Sequence, residues 1–250
     1  CWRWIERSGY DSDVSTYNTA GKVLQINYAQ EAPKLGVPVA GITNNKCAVL
    51  VSVRKSPSKL AEYQDKTYKI QENLGCAVAG IYSDARKLIK FLREICQEFS
   101  YEKNTLIEIK SLVQKISDEA QQRTQQAGYR PFGAQLLLIS EENGKPCLYC
   151  TDPSAEYYKF KAHAVGKNAQ AINAFLTRHF EEFKDNTPKQ LAIRALEGFL
   201  QSGLRAEDWK AVEVSVYENG KYYTLNEKDV REIVEQFMQK NPVIEEESDS

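Results

Sequence analysis

Two Asn-Gly dipeptides, Asn143-Gly144 and Asn219-Gly220, each stand between two apolar, strand-like runs, and they constrain this chain more than any other feature. Asn and Gly tolerate positive φ at little cost, which is what the tight turn of a β-hairpin requires. GAQLLLIS and PCLYCTD flank the first dipeptide, and AVEVSVY and KYYTL flank the second. A third pair of runs, VPVAGIT and CAVLVSV, surrounds Asn44-Asn45, and strand signals follow at Thr67–Gln71 and Leu74–Gly80. Strands joined this closely must pair antiparallel, because a parallel pair needs a long crossover.

Helical periodicity fills the gaps between the strand sets. Ala85, Leu88, Leu92, Ile95 and Phe99 share one helical face, with Ser83 as the expected N-cap. Thr105 and Glu108 have capping-box spacing ahead of a second helix whose face is Leu106, Ile109, Val113, Ile116 and Ala120. EYYKFKAHAVG reads as one further strand. It is followed by a helix carrying Ile172, Phe175, Leu176 and Phe183, and by another opening at Thr187-Pro188 with Leu191, Ala195, Leu196 and Phe199 inward. A last helix carries Val230, Ile233, Val234 and Phe237. Helix pairs inserted between hairpin sets predict an α+β fold: a four-layer α/β/β/α sandwich of two stacked antiparallel sheets flanked by helices, in one domain over 37–238.

Ahead of that domain, residues 1–36 read as an extension with a short helix. Leu24, Tyr28, Ala32 and Leu35 recur at one-face spacing, and Pro33 and Gly36 then stop the helix. Residues 239–250, with Glu245 to Glu247 and Asp249, form an acidic tail expected to be disordered.

Composition excludes several classes of function. The net charge is −1 with Lys and Arg spread along the chain, against a nucleic-acid binder with a clustered basic face. No apolar run approaches the roughly 20 residues of a membrane helix, and Arg3, Glu6 and Arg7 interrupt any signal-peptide pattern. The six cysteines are scattered through apolar segments, which predicts reduced, buried thiols and a cytoplasmic and nuclear location. Cys147-x-x-Cys150 lacks the second Cys or His pair that a zinc site needs, His163 and His179 read as structural, and no Gly-rich phosphate loop follows a strand. Neither a metal nor another cofactor is expected.

With the segments in place, the chain resembles the alpha-type subunits of the 20S proteasome, closest to the alpha-6 subtype. The resemblance is carried by Tyr10-Asp11 and by Gly21-Lys22-Val23-Leu24-Gln25-Ile26-Asn27-Tyr28-Ala29-Gln30-Glu31-Ala32. It continues through Gly41, Ala79-Gly80-Ile81-x-x-Asp84-Ala85-Arg86, Arg130-Pro131-Phe132-Gly133 and Ala164-Val165-Gly166. Lys22, Asn27 and Ser12 depart from the usual Arg, Glu and Arg, Thr19 stands where Pro is usual, and CWRWIERS has no family counterpart.

The resemblance implies the N-terminal nucleophile hydrolase fold without its chemistry. The nucleophile position falls at Val37 and the aspartate position at Val53, while the lysine persists as Lys66. A unit that acts together does not survive the loss of two members, so the chain is expected to be catalytically silent. The alternative is an active N-terminal nucleophile hydrolase using Cys1. The implied role is a ring subunit beside other alpha subunits and stacked on beta subunits. It would contribute to assembly, channel gating and docking of regulatory-particle C-terminal tails in ubiquitin-dependent and ubiquitin-independent protein degradation. By the same resemblance Tyr10, Asp11, Thr19 and Tyr28 form a gate cluster. A buried, charged Tyr–carboxylate hydrogen bond there is worth about 1.5–3 kcal/mol, although Tyr10 and Tyr28 could instead only pack. Lys66, Gly80 and Ile81 match the activator-tail pocket, the alternative for Lys66 being a solvated strand-edge lysine.

Overall fold

The computed structural model describes residue 14 and residues 16–56, 58, 60–126, 128–203 and 209–241. Among the described residues, two five-stranded sheets, antiparallel throughout, stack face to face. The first has the order β10-β9-β2-β1-β8, from β1 (Val39–Thr43), β2 (Cys47–Val53), β8 (Ala162–Val165), β9 (Val212–Glu218) and β10 (Lys221–Thr224). The second runs β3-β4-β5-β6-β7, from β3 (Thr67–Gln71), β4 (Leu74–Gly80), β5 (Ala134–Glu142), β6 (Lys145–Thr151) and β7 (Tyr157–Phe160). Helices α4 (Ala169–His179), α5 (Pro188–Gln201) and α6 (Glu227–Lys240) cover the outer face of the first sheet, and α2 (Tyr82–Lys103) and α3 (Ile109–Gln125) that of the second. The expected α/β/β/α sandwich is therefore the observed one.

Period-two alternation explains why every residue of β2 is buried. Cys47, Val49, Val51 and Val53 face the helices, whereas Ala48 and Leu50 face the other sheet beside Leu137, Ile139 and Leu148. With both faces covered, the strand reads as a continuous apolar run.

Several local readings need correction. EYYKFKAHAVG is not one strand: β7 closes the edge of the second sheet, the chain crosses at Lys161, and β8 closes the edge of the first. The Thr43 amide donates to the Lys161 carbonyl at 2.8 Å and anchors the crossing. Strand pairing starts at Val39 rather than Val37, because Pro38 has no amide to donate. Helix α2 begins at Tyr82 with Ile81 as N-cap, two residues ahead of what Ser83 suggests. The Ile81 amide is bound to the Gly133 carbonyl at 2.9 Å, so its own carbonyl is positioned to accept from Asp84 and Ala85. Thr105 and Glu108 form no capping box, since α3 starts at Ile109. Burial of Ile107 extends the connection and leaves Leu106 exposed. Phe183 lies beyond α4, in a separate 3₁₀ turn over Phe180–Phe183. Thr187 does cap α5: its hydroxyl accepts from the Gln190 amide at 3.4 Å, and the Gln190 side chain accepts from the Thr187 amide at 2.9 Å.

Helix α1 (Leu24–Glu31) passes into a 3₁₀ turn at Ala32–Leu35, as Pro33 requires. The apolar stripe expected on it is not buried by the described residues: none of α1 is buried, and Leu35 is 85% exposed. The segment is nevertheless tied to the body, because Gln30 Nε2 donates to Asp152 Oδ2 at 2.7 Å. Tyr10, Asp11, Cys1, the CWRWIERS opening and the acidic tail from residue 242 lie outside the described residues.

Candidate functional site

Lys66 stands immediately before β3, Gly80 ends β4, Ile81 follows it, and Val53 ends β2. Antiparallel pairing brings the start of β1 beside the end of β2, and the end of β4 beside the start of β5. The two sheets meet at this end through glycine. A Cβ on Gly36 would lie 2.5 Å from the Gly80 amide nitrogen, and one on Gly80 would lie 2.3 Å from the Gly133 carbonyl oxygen. Gly80 also holds φ +113°, a region that side chains rarely enter. The 3₁₀ turn before Val37 thus lies directly on β4, and the Lys167 amide donates to the Gly36 carbonyl at 2.8 Å.

The Ala79–Arg86 and Arg130–Gly133 segments meet beside this junction. Asp84, on the first turn of α2, accepts from Arg130 Nη2 at 2.6 Å and from the Gly133 amide at 2.9 Å. Burial pushes the Asp84 carboxyl up, but the Arg130 hydrogen bond and the Gly133 amide outweigh it and hold the group below the usual range.

Lys66 is fixed by its backbone. Its amide donates to Glu213 Oε2 at 2.8 Å, and its carbonyl accepts from the Val78 amide at 3.0 Å. Its ammonium rests 5.6 Å from the centroid of the Tyr82 ring, and burial lowers its pKa. Glu213 is almost fully buried and also accepts from Thr67 Oγ1 at 2.8 Å, while Thr67 Oγ1 contacts Ser215 Oγ at 2.8 Å. Burial pushes the Glu213 carboxyl up against these hydrogen bonds. A cleft of about 580 Å³ opens alongside, lined by Arg54, Tyr63, Asp65, Trp209 and Glu213 among others. Arg54 is committed within it, to Asp65 at 3.0 Å and to the Lys210 carbonyl at 2.8 Å.

Val37 is half-buried, and Val53 packs in the apolar layer between the first sheet and its helices. Neither carries an ionisable or nucleophilic atom. Gly80 and Ile81 lie next to Tyr82, the residue that Lys66 contacts, and Ile81 is 40% exposed. Of the gate residues, Thr19 is exposed in a turn held by Asn18, whose side chain accepts from the Ala20 and Lys22 amides at 3.0 and 2.9 Å. Tyr28 is 50% exposed on α1.

No motif in the sequence marks Glu213, although its alternation with Val212 and Val214 sets one polar face on that strand. That face turns out to be directed at the other sheet. The Asp84–Arg130 and Gln30–Asp152 pairs span 46 and 122 residues, and no local pattern signals them. Cys147 faces α2 and α3 while Cys150 faces the other sheet, so the two cannot share a ligand. Burial pushes both thiols up to about 12. Among the described residues no group of three or more His, Cys, Asp or Glu is arranged to hold a metal ion, and no helix is long and apolar enough to cross a membrane. His163 stacks on Phe160 at 4.1 Å, its pKa lowered to about 4 by burial, and His179 contacts Glu182 at 2.8 Å.

Comparison with known proteins agrees with this architecture. Residues 34–218 match the family model described as proteasome subunit. The chain is 32% identical over 225 residues to proteasome subunit alpha type-1 of Dictyostelium discoideum, covering 89% of this chain and 91% of that protein. It is 31% identical over 229 residues to proteasome subunit alpha type-1 of Drosophila melanogaster, covering 89% and 82%. It is 33% identical over 230 residues to proteasome subunit alpha 2 of Haloferax volcanii, covering 91% of each. Given two stacked antiparallel sheets between helix layers and these relatives, the chain belongs to the proteasome subunit family, as an alpha-type member.

Proposed function

We propose that this chain is a non-catalytic alpha-ring subunit of the 20S core particle, supporting ring assembly, channel gating and docking of regulatory-particle C-terminal tails. The observation that carries the non-catalytic reading is the packed, continuous chain ahead of Val37. An N-terminal nucleophile must begin its strand with a free amine beside the hydroxyl or thiol. Here Gly36 is pressed against Gly80 and bound through its carbonyl to Lys167, and Val37 offers no attacking atom. The uncovered faces of Tyr28 and Leu35 on the segment before β1 support a role in contacts with a neighbouring subunit. An alpha-6 position in the ring and a cytoplasmic and nuclear location complete the reading. Reconstruction of the particle checks the position, and imaging of the tagged chain checks the location.

Two measurements test the reading. The purified chain should show no turnover of fluorogenic peptides, and turnover abolished by Cys1→Ala would replace this reading with the hydrolase. In assembled particles Lys66→Ala should weaken activator-stimulated peptide hydrolysis and leave ring assembly intact. Stimulation equal to wild type would remove Lys66 from the docking site.

A further inference from the structure

A second cavity, of about 470 Å³, lies at the opposite end of the strands from Gly36 and Gly80. Three turns enclose it: the β1–β2 turn at residues 43–45, the crossing from β7 to β8 at residues 160–161, and the 3₁₀ turn Phe180–Phe183. Its size falls in the range of roughly 300–1,000 Å³ usual for small-molecule sites. Pro146, Phe160, Phe180 and Phe183 supply its apolar surface. Its charge comes from Lys159, Lys161 and Lys184, and no carboxylate is among its described lining residues. The walls are held by contacts made within the chain. Asn44 Nδ2 donates to the Phe183 carbonyl at 3.0 Å and to the Asn186 carbonyl at 2.9 Å, which pins the 3₁₀ turn to the β1–β2 turn. Asn44 Oδ1 accepts from the Lys46 and Cys47 amides, each at 2.9 Å. The Thr43 amide fixes the crossing through the Lys161 carbonyl, and Phe160 is stacked on His163. A ligand entering a cavity already formed pays little to order it. The three lysines are not equivalent. Lys159 is paired with Glu142 and Lys184 with Glu181. Lys161 has no carboxylate partner among the described residues, and its ammonium rests 5.2 Å from the centroid of the Phe180 ring.

We propose that this cavity binds a small aromatic carboxylate, its ring system among Phe160, Phe180, Phe183 and Pro146 and its carboxylate at Lys161. Charge selects the anion: a cationic ligand meets three ammonium groups, and a neutral one leaves Lys161 without a counter-charge. An ammonium set against an apolar wall binds a carboxylate more strongly than one surrounded by water, because the local dielectric is lower. Ring chemistry selects the body. Three phenylalanines offer edge and face contacts that a flat aromatic system meets and an alkyl chain does not. A small molecule is favoured over an extended peptide, which needs free backbone groups along a strand edge. At the crossing the Lys161 carbonyl is already taken by Thr43, so the cavity presents side chains there. The assignment is independent of any role for Lys66.

The test is calorimetric titration of the purified full-length chain with three probes: 2-naphthoate, its neutral analogue 2-naphthylmethanol, and the aliphatic carboxylate octanoate. Naphthoate should bind about tenfold more tightly than naphthylmethanol at low salt, and the margin should shrink as salt is raised. Octanoate should bind more weakly than naphthoate. Lys161→Gln should remove most of the tenfold margin while leaving naphthylmethanol unchanged, and Lys161→Arg should restore it. Lys161 is exposed and its structural contact is made by its backbone carbonyl, so the exchange leaves the fold intact. Asn45→Trp, on the exposed β1–β2 turn, places an indole at the edge of the cavity and should weaken both naphthyl probes. Equal binding of naphthoate and naphthylmethanol would overturn the assignment of an anion. Octanoate binding as tightly as naphthoate would overturn the aromatic class. Naphthoate binding that survives both Lys161→Gln and Asn45→Trp would place the ligand elsewhere on the chain, and no binding of naphthoate at millimolar concentration would end the proposal.

Discussion

Gly80→Val should be the most damaging single substitution at the sheet junction, costing about 3–5 kcal/mol of stability. Two independent penalties act at the new Cβ. One is the positive φ of Gly80, which costs about 1–3 kcal/mol for a residue with a side chain. The other is a 2.3 Å approach to the Gly133 carbonyl oxygen, a backbone atom that cannot rotate away. That carbonyl also binds the Ile81 amide at the start of α2, so displacing it loosens the helix as well. Because the clash begins at Cβ, Gly80→Ala should lose most of what Gly80→Val loses. Gly75→Ala differs: its Cβ meets the Tyr222 ring at 1.9 Å, an obstacle that shortening Tyr222 removes. Thermal unfolding of the full-length chain measures this, with an expected fall in Tm of about 10 °C for either Gly80 variant. A melting temperature within a degree or two of wild type would mean that the junction is not as tightly closed as described.

Asp84→Ala should cost about 2–3 kcal/mol near neutral pH, more than Arg130→Ala. The asymmetry follows from exposure. The Asp84 side chain is 3% exposed and Arg130 is 60% exposed, so a freed Arg130 returns to water and its ion pair is screened. Loss of the carboxylate also leaves the buried Gly133 amide without its acceptor. The pH dependence has a definite sign. The folded-state pKa of Asp84 is lowered, so its contribution is present in full above the ordinary carboxylate pKa and is lost as pH falls through the lowered value. Denaturant titrations of wild type and Asp84→Ala should therefore converge as the solution is acidified below that range. A difference that stays constant with pH would assign the effect to packing rather than to charge.

Much of the fold is legible because its signals are local. The bounds of β3 and β4, the hairpin turns at Asn143-Gly144 and Asn219-Gly220, and the inward face of α6 follow from turn chemistry and apolar spacing alone. The misread elements are those where a distant contact overrides a local preference. Ser83 is a good capping residue, yet α2 starts ahead of it because the Gly133 carbonyl holds Ile81 in place. Thr105 and Glu108 have the right spacing, yet Ile107 between them has to be buried. EYYKFKAHAVG looks like one strand, since nothing in its alternation marks Lys161 as the crossing point between sheets.

The candidate site divides in the same way. Lys66, Gly80 and Ile81 are named through the family resemblance, Gly80 and Ile81 within its Ala79–Arg86 motif and Lys66 by position alone. The polar partners that fix them are not, since Glu213 is 147 residues from the Lys66 amide that it accepts from.

Periodicity and turn residues in the chain are enough to establish which faces are apolar and that neighbouring strands run antiparallel. Only the family resemblance assigns the nucleophile position to Val37, and the sequence then shows that this residue carries no hydroxyl or thiol. Folding in three dimensions settles which sheet each edge strand joins, what the buried carboxylates Asp84 and Glu213 bind, and that Gly36, Gly80 and Gly133 close on one another. The physical reason is one of range: dihedral preference and side-chain alternation act over a few residues, whereas close packing and hydrogen-bond satisfaction select partners across the whole chain.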